Sequence, residues 1–266
     1  MDVTGKGQSA TSQGTRSKRV VAFYALTALF ALLYTLMLSL MAPVLPAAVT
    51  GWFQAEHFGV HRFHETVAGA LLWMVPIGLL LQFSRPARRV AAMQQVLVVL
   101  LGLNVAFLAG QYSFPPMLIF LALAIIVAVL HPARGQLLPA RTPDWRLVGM
   151  ALVAAVPLLA FAAQQIGLQS AAVPGDEHAE FGHWVLMGGY AIAIVLLSLT
   201  AAFKRPGWRV PAWSAGVLAI VYGLGSLMMR GQASTTGIAW ALAAIAWGVV
   251  FVFVSEKIGR DGTVEA

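Results

Sequence analysis

Apolar residues in this chain come in long blocks, with neither the alternation of a half-buried strand nor the one-sided stripe of a surface helix. Eight blocks, at about 20–42, 66–84, 90–110, 114–131, 147–167, 184–203, 210–229 and 237–255, each approach the roughly 20 apolar residues that a bilayer-crossing helix requires. Short hinges rich in Pro, Gly and Arg separate them, such as Arg85-Pro86-Ala87-Arg88-Arg89 and Lys204-Arg205-Pro206-Gly207-Trp208-Arg209. Lipid cannot satisfy the backbone of an open strand, so helices are the expected spanning element. The pattern predicts an all-α integral membrane protein of eight transmembrane helices.

Composition sharpens this reading. The 266 residues are 59% hydrophobic and only 10% charged, whereas soluble domains carry about a quarter charged residues. A soluble enzyme with this balance would expose large apolar patches, and a disordered chain would not be so apolar. Cysteine is absent, which removes disulfides, thiolate metal sites, cysteine nucleophiles and iron–sulfur clusters.

The net charge of +7 does not point to nucleic acid, because the basic residues sort by membrane side and form no stripe with interleaved aromatics. Fifteen of the 17 Lys and Arg fall before the first block or after the second, fourth, sixth and eighth, leaving only Arg62 and Arg230 opposite. The excess of positive charge marks the cytoplasmic side, so both termini are expected in the cytoplasm of a plasma-membrane protein. The first apolar block exceeds the core of a cleaved signal, about 7–15 residues, and reads as an anchored helix. The expected organisation is a disordered tail at 1–18, four-helix units at 19–135 and 136–258, and a short tail at 259–266.

The two units resemble each other. Phe83-Ser84-Arg85-Pro86-Ala87-Arg88-Arg89-Val90 matches Phe203-Lys204-Arg205-Pro206-Gly207-Trp208-Arg209-Val210 at five of eight positions, Gly110-Gln111 matches Gly231-Gln232, and His64 with Gly69 matches His183 with Gly188. Four spans per unit is an even number, so both units enter the membrane in the same direction. The expectation is a parallel 4+4 pseudo-repeat about an axis along the membrane normal. Equivalent helices, the second and sixth, can then share one site at that axis.

Chemistry concentrates at the outer ends of those two helices. Five of the six histidines (His57, His61, His64, His178, His183) and five of the ten acids (Glu56, Glu65, Asp176, Glu177, Glu180) lie there. His57, His61 and His64 recur at i, i+4 and i+7, and Glu177, Glu180 and His183 at i, i+3 and i+6, spacings that share one face of a helix. The duplication sets His61-x-x-His64 against Glu180-x-x-His183. Glu-x-x-His on facing helices is a di-iron carboxylate arrangement, here with one Glu replaced by His. His61, His64, Glu180 and His183 are the expected metal ligands, Glu65 and Glu177 further ligands or catalytic proton carriers, and His57 and His178 reserves at the mouth. Imidazole with carboxylate suits Fe, Cu or Zn. A b-type haem clamped between His61 or His64 and His183 is the other cofactor expected. In outline, a 4+4 layout with histidines at helix ends resembles the haem A synthase family. The fourth and eighth spans carry no outer histidine, so that family's ligand pairs within each half cannot form here.

These features point to a membrane oxidoreductase acting on a lipid-soluble or periplasmic substrate, with a redox partner. A metal-assisted hydrolase would use the same residues. A cation-capturing permease and a non-catalytic subunit of a larger complex are the alternatives from other classes. No charged residue lies in mid-span, where a transport pathway needs polar groups.

Overall fold

The computed structural model describes residues 6–40, 44–138 and 142–264, with side chains for 18–40, 44–54, 56, 58–138 and 142–260. Among the described residues there is no strand. The long helices are α1 (Lys6–Leu40), α4 (Arg62–Leu80), α5 (Val90–Ala109), α6 (Pro115–Leu130), α7 (Trp145–Ser170), α9 (His183–Ala202), α10 (Arg209–Met228) and α11 (Ile238–Val264). Short helices α2 (Val44–Thr50), α3 (Ala55–Phe58) and α8 (Glu177–Glu180) sit in the connections. Among the described residues, seven helices are long and apolar enough to cross a membrane, which makes this a multi-pass helical membrane protein.

The eighth, α6, is apolar throughout but has 16 residues. Proline confines it: Pro115 opens the helix, where a missing N–H is harmless, and Pro132 follows its last turn. At about 1.5 Å per residue it reaches roughly 24 Å, short of a hydrocarbon layer of about 30 Å. The outer helices also run further than the pattern suggests. Helix α1 begins at Lys6, inside the stretch expected as a tail, and α11 continues to Val264. Extending an existing helix adds one hydrogen bond per residue fixed, with no new nucleus to form.

Helices α4, α5, α9 and α10 pack together as an inner group, with α5 against α9 and α4 against α10. More than half of each inner helix's apolar stretch is buried, against about a quarter for α1, α7 and α11. Helices α1 and α6 close around one side of this group, α7 lies along α9, and α11 lies along α10. The outer helices turn Leu29, Leu33, Val153, Val156, Val250 and Phe253 outward, a surface only lipid accommodates.

Most polar side chains inside the bundle are tied to backbone or to each other, as an apolar medium demands, with the buried Tyr34 and Ser255 hydroxyls as exceptions. Gln95 of α5 donates to the Met74 carbonyl of α4 (2.9 Å) and accepts from Ser214 of α10 (2.8 Å). The Tyr190 hydroxyl of α9 donates to the Leu218 carbonyl of α10 (2.6 Å). Asn104 of α5 reaches the Met117 carbonyl of α6 (3.2 Å). At one end of the bundle the 84–89 and 203–208 connections meet, where the Ala91 N–H donates to the Pro206 carbonyl (2.9 Å). The other end carries the histidines.

Candidate metal centre

Two glycine turns shape the histidine end. The helical stripe expected over 57–64 is interrupted: α3 ends at Phe58, Gly59 takes φ 49°, a 3-10 turn covers Gly59–His61, and α4 starts at Arg62. The stripe expected over 177–183 is also interrupted, since α8 ends at Glu180 and Gly182 takes φ 67° before α9 begins at His183. A left-handed residue between two helices rotates one against the other, so side chains on either side no longer share a face. Only glycine fits at 182, because a Cβ there would meet the Tyr112 ring at 2.5 Å.

That turn exchanges the ligands supplied by this segment. Glu180 points away and is exposed, while His178, expected at the mouth, swings into the site. Asp176 sets α8 by accepting from the N–H groups of His178 (3.0 Å) and Ala179 (3.2 Å). It also accepts from the indole N–H of Trp184 (3.1 Å), which packs edge-on against His178.

His61, His178 and His183 offer nitrogens that all lie within 4.8 Å of one another. Nδ1 of His183 is 3.2 Å from Nδ1 of His61 and 3.5 Å from Nδ1 of His178. The far nitrogens of two rings face carboxylates: Nε2 of His61 lies 3.3 Å from Glu177, and Nε2 of His183 lies 3.4 Å from Glu65. A carboxylate accepts, so each draws the ring proton to Nε2 and leaves Nδ1 as a bare lone pair. Two such lone pairs 3.2 Å apart repel unless a cation or a shared proton sits between them.

His64 completes the cluster, its ring stacked on His183 with centroids 4.9 Å apart and planes 7° from parallel. Ser234 donates to Gln165 (2.6 Å) and so accepts from Nε2 of His64 (2.9 Å). Nδ1 of His64 is then unprotonated; it is buried and makes no hydrogen bond. Glu65 Oε2 is likewise buried without a partner. Buried polar atoms in native structures are nearly always satisfied, so two orphans beside three converging imidazoles mark a place for an ion or water.

Burial pushes the His178 imidazole below its usual value, helped by the neighbouring His183 and His61 and opposed by Asp176 and Glu177. It is neutral at pH 7, as a ligand must be. At Asp176 burial acts upward, but the hydrogen bonds from Trp184, Ala179 and His178 outweigh it and hold the carboxyl low.

The structure thus brings together His61, His64, His178 and His183, with Glu65 and Glu177 behind two of them. Glu180 contributes its backbone carbonyl to the Tyr112 hydroxyl (3.1 Å). Glu56 is exposed, and the side chain of His57 lies outside the described residues. The haem clamp finds no geometry here. His64 and His183 lie face to face, and His61 meets His183 at hydrogen-bond distance, with no gap for a porphyrin plane between either pair.

Sequence reasoning passed over two partners. Ser234 orients His64, and Gln232 accepts from the Phe63 N–H (2.8 Å) while donating to the Gly59 carbonyl (3.1 Å), which caps the start of α4. The match of Gln232 to Gln111 in the duplication was the one signal at that position. Compared with known proteins, the chain matches no family model, no curated protein and no solved structure.

Proposed function

We propose that this membrane protein holds one transition-metal ion between His61, His178 and His183 and uses it as an extracytoplasmic oxidoreductase centre for a lipid-soluble or periplasmic substrate. The observation that carries the reading is the pair of Nδ1 atoms 3.2 Å apart with carboxylates on both far nitrogens. Tetrahedral ligands at about 2.0–2.1 Å from a metal lie about 3.3–3.4 Å apart. The His183 contacts of 3.2 and 3.5 Å bracket that spacing. Carboxylates behind ligating imidazoles fix ring orientation and raise ligand basicity, the role assigned to Glu65 and Glu177. Three imidazoles without thiolate suit Cu, Fe or Zn, and leave a position for water or substrate.

Direction follows from charge. The end carrying Arg85, Arg88, Arg89 and Arg205 is the cytoplasmic one, which turns the histidines outward and places both termini inside. The 4+4 duplication is supported by the packing, since α5 against α9 and α4 against α10 are equivalent pairs under it. The stacked His64 and His183 are residues it matches. Span α6 then counts as the eighth crossing.

A hydrolytic use of the same ion has one observation in its favour, the unpartnered Glu65 Oε2 beside the cluster, which would accept a proton from metal-bound water. Transport has none: the buried Gln95 and Asn104 of α5 are bonded within the bundle and form no path.

Elemental analysis and visible and paramagnetic resonance spectra of the detergent-purified chain at neutral pH test the reading. One equivalent of Cu or Fe that cycles between two redox states is the expected result. One equivalent of redox-silent Zn moves the assignment to hydrolysis. A Soret band, or no metal as purified and none taken up from zinc or copper solutions, sinks the three-imidazole site.

A further inference from the structure

The opposite end of the bundle holds a second site, built on different observations. The 84–89 connection between α4 and α5 and the 207–209 turn before α10 enclose a cleft of about 440 Å³, lined by Ser84, Arg85, Arg88, Arg89, Trp208 and Arg209 together with Gly207. That volume lies within the range of small-ligand sites. Gly207 lets the two segments close up. It takes φ 82°, and a Cβ there would press to 3.1 Å on the Arg88 carbonyl and the Arg89 Cα.

The charge in this cleft is not neutralised from within. Of the carboxylates described at this end, Asp144 is taken by Arg146 (2.9 Å) and Glu256 by Arg209 (2.9 Å) and Trp213 (3.0 Å). No described carboxylate pairs with Arg85, Arg88 or Arg89. The Trp208 ring already carries two cations, with Lys204 Nζ 3.9 Å and the Arg209 guanidinium 5.0 Å from its centroid. Helices α5 and α10 both start from residues of the cleft, Arg89 and Trp208, so the positive ends of two helix dipoles lie at its edge.

Concentrated, unpaired guanidinium groups in a concave site at a helix end favour one ligand chemistry: a phosphate, whose oxygens accept paired N–H bonds from arginine. We propose that this cleft binds a phosphate group, presented either by an anionic phospholipid at the membrane surface or by free phosphate. Ser84 supplies a neutral donor, and Arg85, Arg88 and Arg89 supply the charge. Diffuse positive charge that orients a membrane protein needs neither the enclosure nor Gly207; a bound phosphate uses both.

The test is native mass spectrometry of the full chain in detergent with phosphatidylglycerol or phosphatidylcholine added, alongside thermal shift with inorganic phosphate alone. About one phosphatidylglycerol, and no phosphatidylcholine, is expected to stay bound. In Arg85→Gln/Arg88→Gln/Arg89→Gln its apparent affinity falls about fivefold per arginine, on the order of a hundredfold in all. The charge-matched control Lys18→Gln/Arg134→Gln/Lys257→Gln, at the same end but outside the cleft, retains the lipid. Retention of inorganic phosphate with the same dependence on the three arginines assigns the free anion as the source. Equal loss in both triple variants reduces the effect to bulk charge and overturns the proposal. So does failure of the unmodified chain to hold either probe. Both results are independent of the metal content at the other end.

Discussion

The molecule contains two buried histidine environments at opposite ends, and they are built on opposite principles. His131 follows α6 at the arginine end, and both of its ring nitrogens are used: Nδ1 accepts from the Ala133 N–H (3.0 Å) and Nε2 donates to Gln82 (3.1 Å). Gln82 in turn donates to the carbonyls of Gly78 (3.0 Å) and Arg89 (3.3 Å). Every atom there has one partner of the right kind, and the imidazole works as a strut. At the other end four imidazoles crowd together, two with carboxylates on their far nitrogens and one with a serine; Nδ1 of His61, His178 and His183 converge, and Nδ1 of His64 has no partner. Satisfied polarity rigidifies, whereas unsatisfied polarity that the fold holds in place points to a ligand. The difference lies in what the second nitrogen meets.

The sharpest way to break this contrast is to delete one ring from each end. His183→Ala removes the nitrogen common to both short contacts, and bound metal measured by elemental analysis should fall to background. His131→Ala should leave metal content unchanged. It strips partners from Gln82 and Ala133, each loss costing about 1–3 kcal/mol, and so lowers the thermal midpoint. If both variants lose metal alike, the two environments are not distinct.

Gly182→Ala comes next. It forces a side chain into left-handed backbone, at about 1–2 kcal/mol, and into the Tyr112 ring. The turn that delivers His178 should open, with metal affinity down by at least the 10–100-fold typical of lost supporting contacts. Unchanged affinity would remove His178 from the ligand set.

Glu65→Gln and Glu177→Gln should each weaken metal binding about 10–100-fold while sparing stoichiometry at saturating metal. The Glu65 effect should be the larger, because its side chain is 19% exposed and that of Glu177 66%. Calorimetric titration of both variants orders them, and the reverse order would place the stronger support on the exposed side.

Acid gives a gradual version of the same test. The His178 value is lowered by burial, so its folded value lies below that of the unfolded chain. The stability it contributes is present above the unfolded value of about 6.5 and is lost as pH falls through the folded one. Dialysis at stepwise lower pH should therefore unload the metal only as pH falls beyond the unfolded value, through the lower folded one. Glu180→Ala should do least, with metal affinity within about twofold of the parent, as expected for an exposed surface change.

Much of this was legible in the sequence for physical reasons. Lipid imposes a length and an apolarity on each crossing, so seven spans could be read directly, while α6, bounded by prolines, falls below that length. The meeting of His61 and His64 with His183 followed from matched residues in the two halves. The interchange of Glu180 and His178 did not. Helical spacing assumes a continuous helix, and the backbone freedom of Gly59 and Gly182 breaks that assumption without leaving a mark in hydropathy. Ser234 was invisible and Gln232 showed only in its match to Gln111, for another reason: their partners His64 and Phe63 lie 170 and 169 residues away, and nothing local gives either a role.

On the proposed eight-crossing reading, the short apolar helix α6 has a consequence for the surrounding lipid. With about 24 Å of apolar length beside neighbours such as α5, which has 20 residues, this face is several ångströms thinner than the hydrocarbon it meets. Acyl chains next to α6 would then compress, at a cost of fractions of a kcal/mol per ångström. The bilayer would thus be pinched on one flank only, and that reading draws the protein toward thinner membrane or toward a neighbour that shields that flank.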